Sequence, residues 1–336
     1  MHLVDRSRPD PWVPADGPRQ LMVSLWYPAT AKKGTTARYV TPEESALILR
    51  GVPGGENHPP DTIAKTRTHA RVGAPPSRRS LPLVVMSPGF TFPRATLTAL
   101  GEDLDSRGYL VAAVEHTYES VATTFPDGRT TTCVVCRQQQ TDELGARVAK
   151  VRVADISFVL DHLLKRAPLG LRIGKIAMVG HSMGGNSAAH TMAADQRVRV
   201  GVNLDGTFLP EAPTLTRPFM MFGTTTGHSP GGRDTSWDSA WPHLKGANQW
   251  LTVTGADHSS FTDPPSLTMR SSANRSASPP RPSPAPAQSK SPAPTWRPSS
   301  TATYATSTDP PQTSPKSYVI QGDSCSSRLV CQRRRG

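Results

Sequence analysis

The chain has 336 residues, with 38 Lys and Arg against 26 Asp and Glu, a formal charge of +12, 34 Pro and four Cys. That length admits one large α/β domain or two ordinary ones and is ample for a buried core. No run approaches 18 consecutive apolar residues, which excludes a membrane-spanning helix, and four cysteines in so long a chain exclude a disulfide scaffold. The basic balance raises the question of nucleic acid, so its distribution matters. Residues 264–336 hold ten of the basic residues, two acids, 13 of the prolines and only five Leu, Ile, Val or Phe. Such a stretch cannot bury enough apolar surface to offset its chain entropy, so a disordered tail is expected. Residues 1–263 carry 28 basic and 24 acidic residues, or +4. The tail has only Trp296, Tyr304 and Tyr318 as aromatics. That is no stacking platform for bases, and no nucleic-acid partner is expected.

The first twenty residues contain no apolar leader segment. The expected location is therefore cytoplasmic as the sequence stands, or secreted if an upstream segment is missing. In chain order, Gln20 to Tyr27 is a strand stopped by Pro28, and Glu43 to Arg50 is a short helix behind Thr41-Pro42. Residues 51–80 form a Gly/Pro/Arg-rich loop. Leu83 to Met86 is a buried strand, Thr96 to Ser106 a helix ended by Gly108, and Tyr109 to Val114 another buried strand. Pro126-Asp-Gly128 between Val121–Phe125 and Arg129–Val135 predicts a hairpin-like excursion. Glu143 to Arg166 has apolar residues at helical spacing. Ile176 to Gly180 is a strand and Met183 to Ala194 a helix. Arg199–Leu204, Phe219–Phe222 and Trp250–Val253 are three further strands. This alternation predicts one α/β domain over residues 1–263, a mostly parallel sheet with helices on both faces.

Gly180-His-Ser182-Met-Gly184 is a G-x-S-x-G motif lying between a predicted strand and a predicted helix. That context is the setting of a nucleophile elbow. The glycines remove side chains where the turn is tightest, and the helix start behind Ser182 leaves N–H groups for an oxyanion. A serine hydroxyl needs a base, which in this arrangement follows later in the chain. His190 falls inside the next helix and faces away. His228 lies in a Gly/Ser/Pro loop and His243 in a helix-like segment. His258, in Gly255-Ala-Asp-His258, follows the last strong strand at the carboxyl edge of the sheet, where ligand chemistry collects. His258 is the expected base. Asp205 at a strand end, or Asp234 in a polar loop, could orient it. The oxyanion donors expected are the backbone N–H groups of Met183 and of Phe90, the latter after the strand ending Met86-Ser-Pro-Gly.

GHSMGG, NLDGTF and GADHSSFTD, with LMVSLWYPA, VVMSPGF, GYLVAAVEHTY and FPDGR, resemble the platelet-activating factor acetylhydrolase family of α/β hydrolases, particularly its bacterial members. The resemblance runs from Leu3 to Asp263. It implies an α/β-hydrolase fold, with nucleophile Ser182, acid Asp205 rather than Asp234, base His258, and oxyanion donors Phe90 and Met183. It also implies a serine esterase that needs no metal or cofactor and acts on small-molecule or lipid esters, with transient contact to a lipid surface. Lipase and polyesterase ranges belong to its relatives. Two departures stand out. Family members continue after the HSSFTD stretch with a helical and then an apolar segment, so the Pro/Ser/Arg tail reads as a reading-frame shift near residue 264 that removes a covering helix. Met1 lies close to the start of the recognisable fold, so an upstream signal or strand reads as lost. A truncated, non-catalytic hydrolase-like chain is the competing expectation.

Lesser features complete the reading. Cys133-Val-Val-Cys136 lacks a second close pair for zinc, so a local disulfide or two free thiols is expected. Glu115 and His116, closing a strand, are candidates for the substrate cleft, or a loop pair without a catalytic part. Trp237 and Trp241, one helical turn apart, could touch an acyl chain, although core packing is commoner at that spacing.

Overall fold

Short apolar runs between turn-forming residues become strands here, and the longer amphipathic stretches become helices. The computed structural model describes residues 1–30, 34–77, 79–166 and 168–263 and the backbone of Tyr318–Ile320. In order these hold β1 (His2–Pro9), β2 (Pro18–Trp26), α1 (Pro42–Arg50), β3 (Ser80–Ser87), α2 (Thr98–Ser106), β4 (Leu110–Glu115), β5 (Thr123–Thr124) and β6 (Thr130–Thr131). Then follow α3 (Asp142–Lys165), β7 (Arg172–His181), α4 (Met183–Ala194), β8 (Val198–Leu204), β9 (Phe219–Thr224), α5 (Thr225–His228), α6 (Ser236–Ala240), β10 (Gln249–Val253) and β11 (Tyr318–Ile320). The main sheet has the order β1-β2-β4-β3-β7-β8-β9-β10-β11, with β5 and β6 as a separate hairpin. β1, β2 and β4 pair antiparallel, and every pair from β4 onward is parallel.

Parallel strands covered on both faces must be apolar on both faces. β3 shows this by alternation. Leu83 and Val85 join the core beneath α3 and α4, with Ile156, Leu160, Ala188 and Met192. Val84 and Met86 pack on the opposite face with Trp26, Leu97 and Leu104. α1 begins with a capping box in which Thr41 and Glu44 satisfy each other's backbone N–H groups. Toward β10 the second face thins: Ala177, Val179, Val202, Met220, Phe222 and Leu251 are only half-buried, and Val200 is exposed.

The expected strands and helices are all present, with ends moved by a few residues. β1 was not expected, because His2–Pro9 carries two arginines and an aspartate. Two of its three charges are paired inward: Arg8 bonds both Asp5, at 2.7 Å, and the buried Asp155 of α3, at 2.5 Å. Arg19 of β2, wholly buried, also bonds Asp155, at 2.7 Å, and Asp10, at 2.9 Å. Asp5, Arg8, Asp10, Arg19 and Asp155 thus form one largely buried ion cluster. Tyr318–Ile320 pairs in parallel with β10, so a short strand stands inside the stretch read as a tail without structure. The rest of 264–336 lies outside the described residues.

After β10 the chain makes one turn at His258–Phe261 and reaches Asp263. The Asp263 carboxyl accepts from the Ala99 N–H at 3.1 Å, and its own N–H donates to the Thr96 carbonyl at 2.7 Å. This pins the His258 loop to the start of α2. Burial, foremost, pushes the Asp263 carboxyl from 3.8 up to about 6. A carboxyl raised in the folded state carries no penalty while both states are protonated, below pH 3.8, and its full penalty once both are ionised, above about pH 6. Stability should therefore fall across that window as pH rises. Asp263→Asn should flatten this part of a Tm–pH profile, and superimposable wild-type and variant profiles would reject the assignment.

Candidate active site

Ser182 sits between β7 and α4 at φ 54° and ψ −124°. A non-glycine residue at positive φ is strained, and it persists only where the surroundings impose it. Three glycines supply that constraint. A Cβ on Gly180 would lie 2.0 Å from the Gly184 carbonyl, one on Gly184 would lie 2.0 Å from the Ser87 carbonyl oxygen, and one on Gly185 would lie 2.0 Å from Asn203 Oδ1. Strand, helix and both neighbouring strands therefore approach too closely for any side chain. The Ser182 N–H donates to the Leu204 carbonyl at 2.8 Å, which locks the turn to β8.

Asp205 follows β8, also at φ 54°. Its Oδ2 accepts from His258 Nδ1 at 2.7 Å. Its Oδ1 accepts from the Thr224 N–H at 2.6 Å and from His228 Nδ1 at 2.8 Å. Burial pushes the Asp205 carboxyl up, but hydrogen bonds from His228, His258 and Thr224 outweigh it and hold the group well below the usual carboxylate range. The His258 side chain is 51% exposed, so its far edge faces solvent while Nδ1 is held from behind. His181, the residue before Ser182, donates Nε2–H to the His258 carbonyl at 2.9 Å, with the two rings 4.5 Å apart. Burial, foremost, and the neighbouring His258 lower His181 to about 4, so its ring is neutral at pH 7. Among the described residues no hydrogen bond joins the Ser182 hydroxyl to the His258 ring.

The other expectations divide. Asp234 does not reach His258; its Oδ2 faces His228 Nε2 at 3.0 Å. Phe90 and Met183 come together in one cluster with Val134 and Cys133, against the buried Trp12, Tyr118 and Val135. Among the described residues neither Phe90 N–H nor Met183 N–H has a protein acceptor. Cys133 and Cys136 form a disulfide, which settles the pair expected as either a local bridge or free thiols. His190 points to the Pro210 carbonyl, as its place inside α4 requires.

Four cleft candidates are corrected. His116 is buried, with Nδ1 at 2.9 Å from Asp155 and Nε2 at 2.9 Å from Ser87 Oγ. Glu115 is buried against Arg94 at 2.8 Å, in the wall of a cavity of about 380 Å3 that Ser182 and His258 do not line. Burial, only partly offset by Arg94, pushes Glu115 up to about 7. Trp237 is fully buried, stacked on His228 at 4.2 Å and bonded through Nε1 to the Gly206 carbonyl at 2.8 Å. Trp241, partly buried, packs on Trp250 at the margin of the core. A strand end and a helical spacing gave the right neighbourhood in each case, and burial took Glu115, His116 and Trp237 out of reach of a substrate. His228 was passed over as a loop histidine; no pattern in sequence marks a side chain that approaches Asp205 from behind.

The elbow, the strand-end carboxylate and the histidine after the last long strand define a carboxylic ester hydrolase of the α/β-hydrolase fold. Comparison with known proteins agrees. The profile of platelet-activating factor acetylhydrolase, isoform II, matches residues 61–143 and 128–274, so the chain belongs to that family. A probable 1-alkyl-2-acetylglycerophosphocholine esterase of Arthroderma benhamiae is 26% identical over 297 residues, covering 80% of this chain and 73% of that protein. The platelet-activating factor acetylhydrolase of Cavia porcellus is 26% identical over 214 residues, covering 54% of this chain and 48% of that one. The chain thus spans about half the length of this mammalian relative. A solved ferulic acid esterase from Streptomyces cinnamoneus is 43% identical with a TM-score of 0.70, covering 80% of this chain and 76% of the other.

The glycine contacts give a direct test. Gly184→Ala forces the elbow helix away from the Ser87 carbonyl. It should destabilise the protein by about 1–3 kcal/mol, the range of core overpacking. The readout is the urea midpoint, and an unchanged midpoint would show that the close approach is not required.

Proposed function

We propose that the chain hydrolyses carboxylic esters through an acyl-enzyme, with Ser182 as nucleophile, His258 as general base and acid, and Asp205 as the group that orients His258. The observation that carries this reading is the 2.7 Å bond from His258 Nδ1 to a carboxylate held ionised, beside a serine at an elbow φ. With Nδ1–H given to Asp205, Nε2 is free to accept a proton. Ser182 Oγ attacks the ester carbonyl as His258 takes the hydroxyl proton. The carbonyl electron pair moves to oxygen and is met by the Phe90 and Met183 N–H groups. Collapse expels the alcohol, which takes the proton from His258, and water repeats the sequence on the acyl-enzyme.

The substrates we propose are esters of short acyl groups, carried by small molecules or by phospholipids presented at a lipid surface. The relatives' names span a glycerophosphocholine ester and a ferulate ester, and both present an acyl carbonyl to the same kind of site. The apolar wall of Phe90, Val134 and Met183 suits a short acyl chain. The Cys133–Cys136 disulfide favours an oxidising compartment over the cytoplasm.

Ser182→Ala should abolish hydrolysis of p-nitrophenyl butyrate and covalent labelling by a fluorophosphonate probe. Activity near wild type in that variant would sink the proposal. Asp205→Asn should lower kcat by roughly 10⁴, as loss of a triad acid does. Asp234→Asn, separated from His258 by His228 and Asp205, should keep kcat within roughly an order of magnitude of wild type. The reverse ranking of these two variants would move the orienting role to Asp234.

A further inference from the structure

The loop that follows β3 carries Phe90, and it is gripped from inside the protein by one side chain of α3. Arg152 is 1% exposed. Its Nη1 donates to the Pro88 carbonyl at 2.6 Å and to Ser87 Oγ at 3.3 Å, and its Nη2 lies 3.5 Å from the Gly89 carbonyl. Its Nε donates to Glu119 Oε2 at 2.7 Å. From the other side, the Glu119 carbonyl accepts the Thr91 N–H at 3.0 Å, and Thr91 sits at φ 74°. Arg152, paired with the Glu119 side chain, therefore holds residues 87–89, and the main chain of Glu119 holds Thr91.

The geometry of the peptide gives this grip a purpose. Carbonyl and N–H of a trans peptide point in opposite directions. The Gly89 carbonyl and the Phe90 N–H belong to one peptide. A guanidinium that draws the Gly89 carbonyl into the interior turns the Phe90 N–H outward, and that N–H has no protein acceptor among the described residues. The fork geometry of arginine suits two successive carbonyls; a lysine ammonium offers no such fork. A buried cation facing carbonyl oxygens is also costly unless fully paired. Glu119 pairs it, and Glu119 in turn accepts from Trp12 Nε1 at 3.1 Å.

We infer that Arg152, anchored by Glu119, is a positioning residue for the oxyanion donor at Phe90: it aims a backbone N–H at the tetrahedral intermediate without touching the substrate. This rests on the reading of Ser182 as nucleophile. An oxyanion donor works through placement, and losing one typically lowers kcat by about 10²–10³.

The test uses the full chain with its disulfide intact. Active sites are counted by fluorophosphonate titration taken to completion. kcat per titrated site and KM are measured with p-nitrophenyl butyrate, and Ki with an alkyl trifluoromethyl ketone. Ser182 Oγ adds to that ketone, its proton passes to His258, and the carbonyl pair becomes an oxyanion in the same place. Arg152→Lys keeps the charge and loses the fork. We expect kcat per site to fall by about 10²-fold, KM to stay within about threefold, and the ketone Ki to rise by the factor lost in kcat. A merely structural arginine would lower the titratable fraction or Tm and leave kcat per site and Ki unmoved, and that result overturns the inference. Should Arg152→Lys not fold, Glu119→Gln leaves the arginine in place and loosens only its anchor; about a tenfold loss of kcat per site is then expected, and none would be fatal to the idea. Ser182→Ala separates the two readings. If it still turns over substrate, the triad reading fails; if it is dead while Arg152→Lys is normal, only the role of Arg152 falls.

Discussion

The structure depends on one close approach: the end of β7, the start of α4 and the last residues of β3 meet with no room for a Cβ between them. That contact forces Ser182 to a positive φ and lifts its hydroxyl off the sheet edge. It leaves Met183 N–H unspent at the helix start and brings Ser87, and with it the Phe90 loop, against the same turn. Strain of this kind costs of order 1–3 kcal/mol and must be offset by the surrounding core. The core is there: Leu83, Val85, Met178, Ala188 and Ala189 are all fully buried around the turn. The positive φ of Ser182, the unspent Met183 N–H and the placement of the Phe90 loop are thus consequences of one packing constraint.

Two histidine–aspartate pairs lie near this turn. His258 and Asp205 stand at the sheet edge beside Ser182, whose hydroxyl makes no bond to the ring among the described residues, whereas Ser87, His116 and Asp155 form a continuous chain sealed within the domain. Both carboxylates are held well below the usual range against the opposing push of burial. Burial, foremost, and the Arg152 charge lower His116, which keeps that ring neutral. What separates the pair is access. His258 is half exposed and can exchange a proton with a substrate; His116 is enclosed and can only hold its neighbours in place. The inner chain belongs with Arg19, Arg152 and Glu119 to a polar framework whose members are paired, as a buried ionic cluster must be to be tolerated.

The elbow was legible in the sequence because its signal is local: two glycines, a serine, a strand before and a helix after. The place of His258 beside Asp205 was legible from topology, since only His258 follows the last long strand closely. Pattern separated Asp205, at a strand end, only weakly from Asp234, in a polar loop that follows a strand; the fold shows that Asp234 meets His228 instead. Burial was the failure. His116, Glu115 and Trp237 occupy positions that read as rim and lie inside, because their partners come from 20 to 40 residues away. Arg152 reads as one more charge on an amphipathic helix, and the charged residues of β1 gave no strand pattern. Interior ion pairs join residues remote in sequence, and no periodicity records them.

Asp263 has a consequence for how the molecule tolerates change. The segment bearing His258 leaves β10, makes one turn and is fastened to α2 through both the backbone and the side chain of Asp263. A change in the chain downstream reaches the histidine through β10, on which Tyr318–Ile320 pairs, or through that fastening. Its strength follows the charge of one carboxyl, so acidity decides how firmly the His258 loop is tied down.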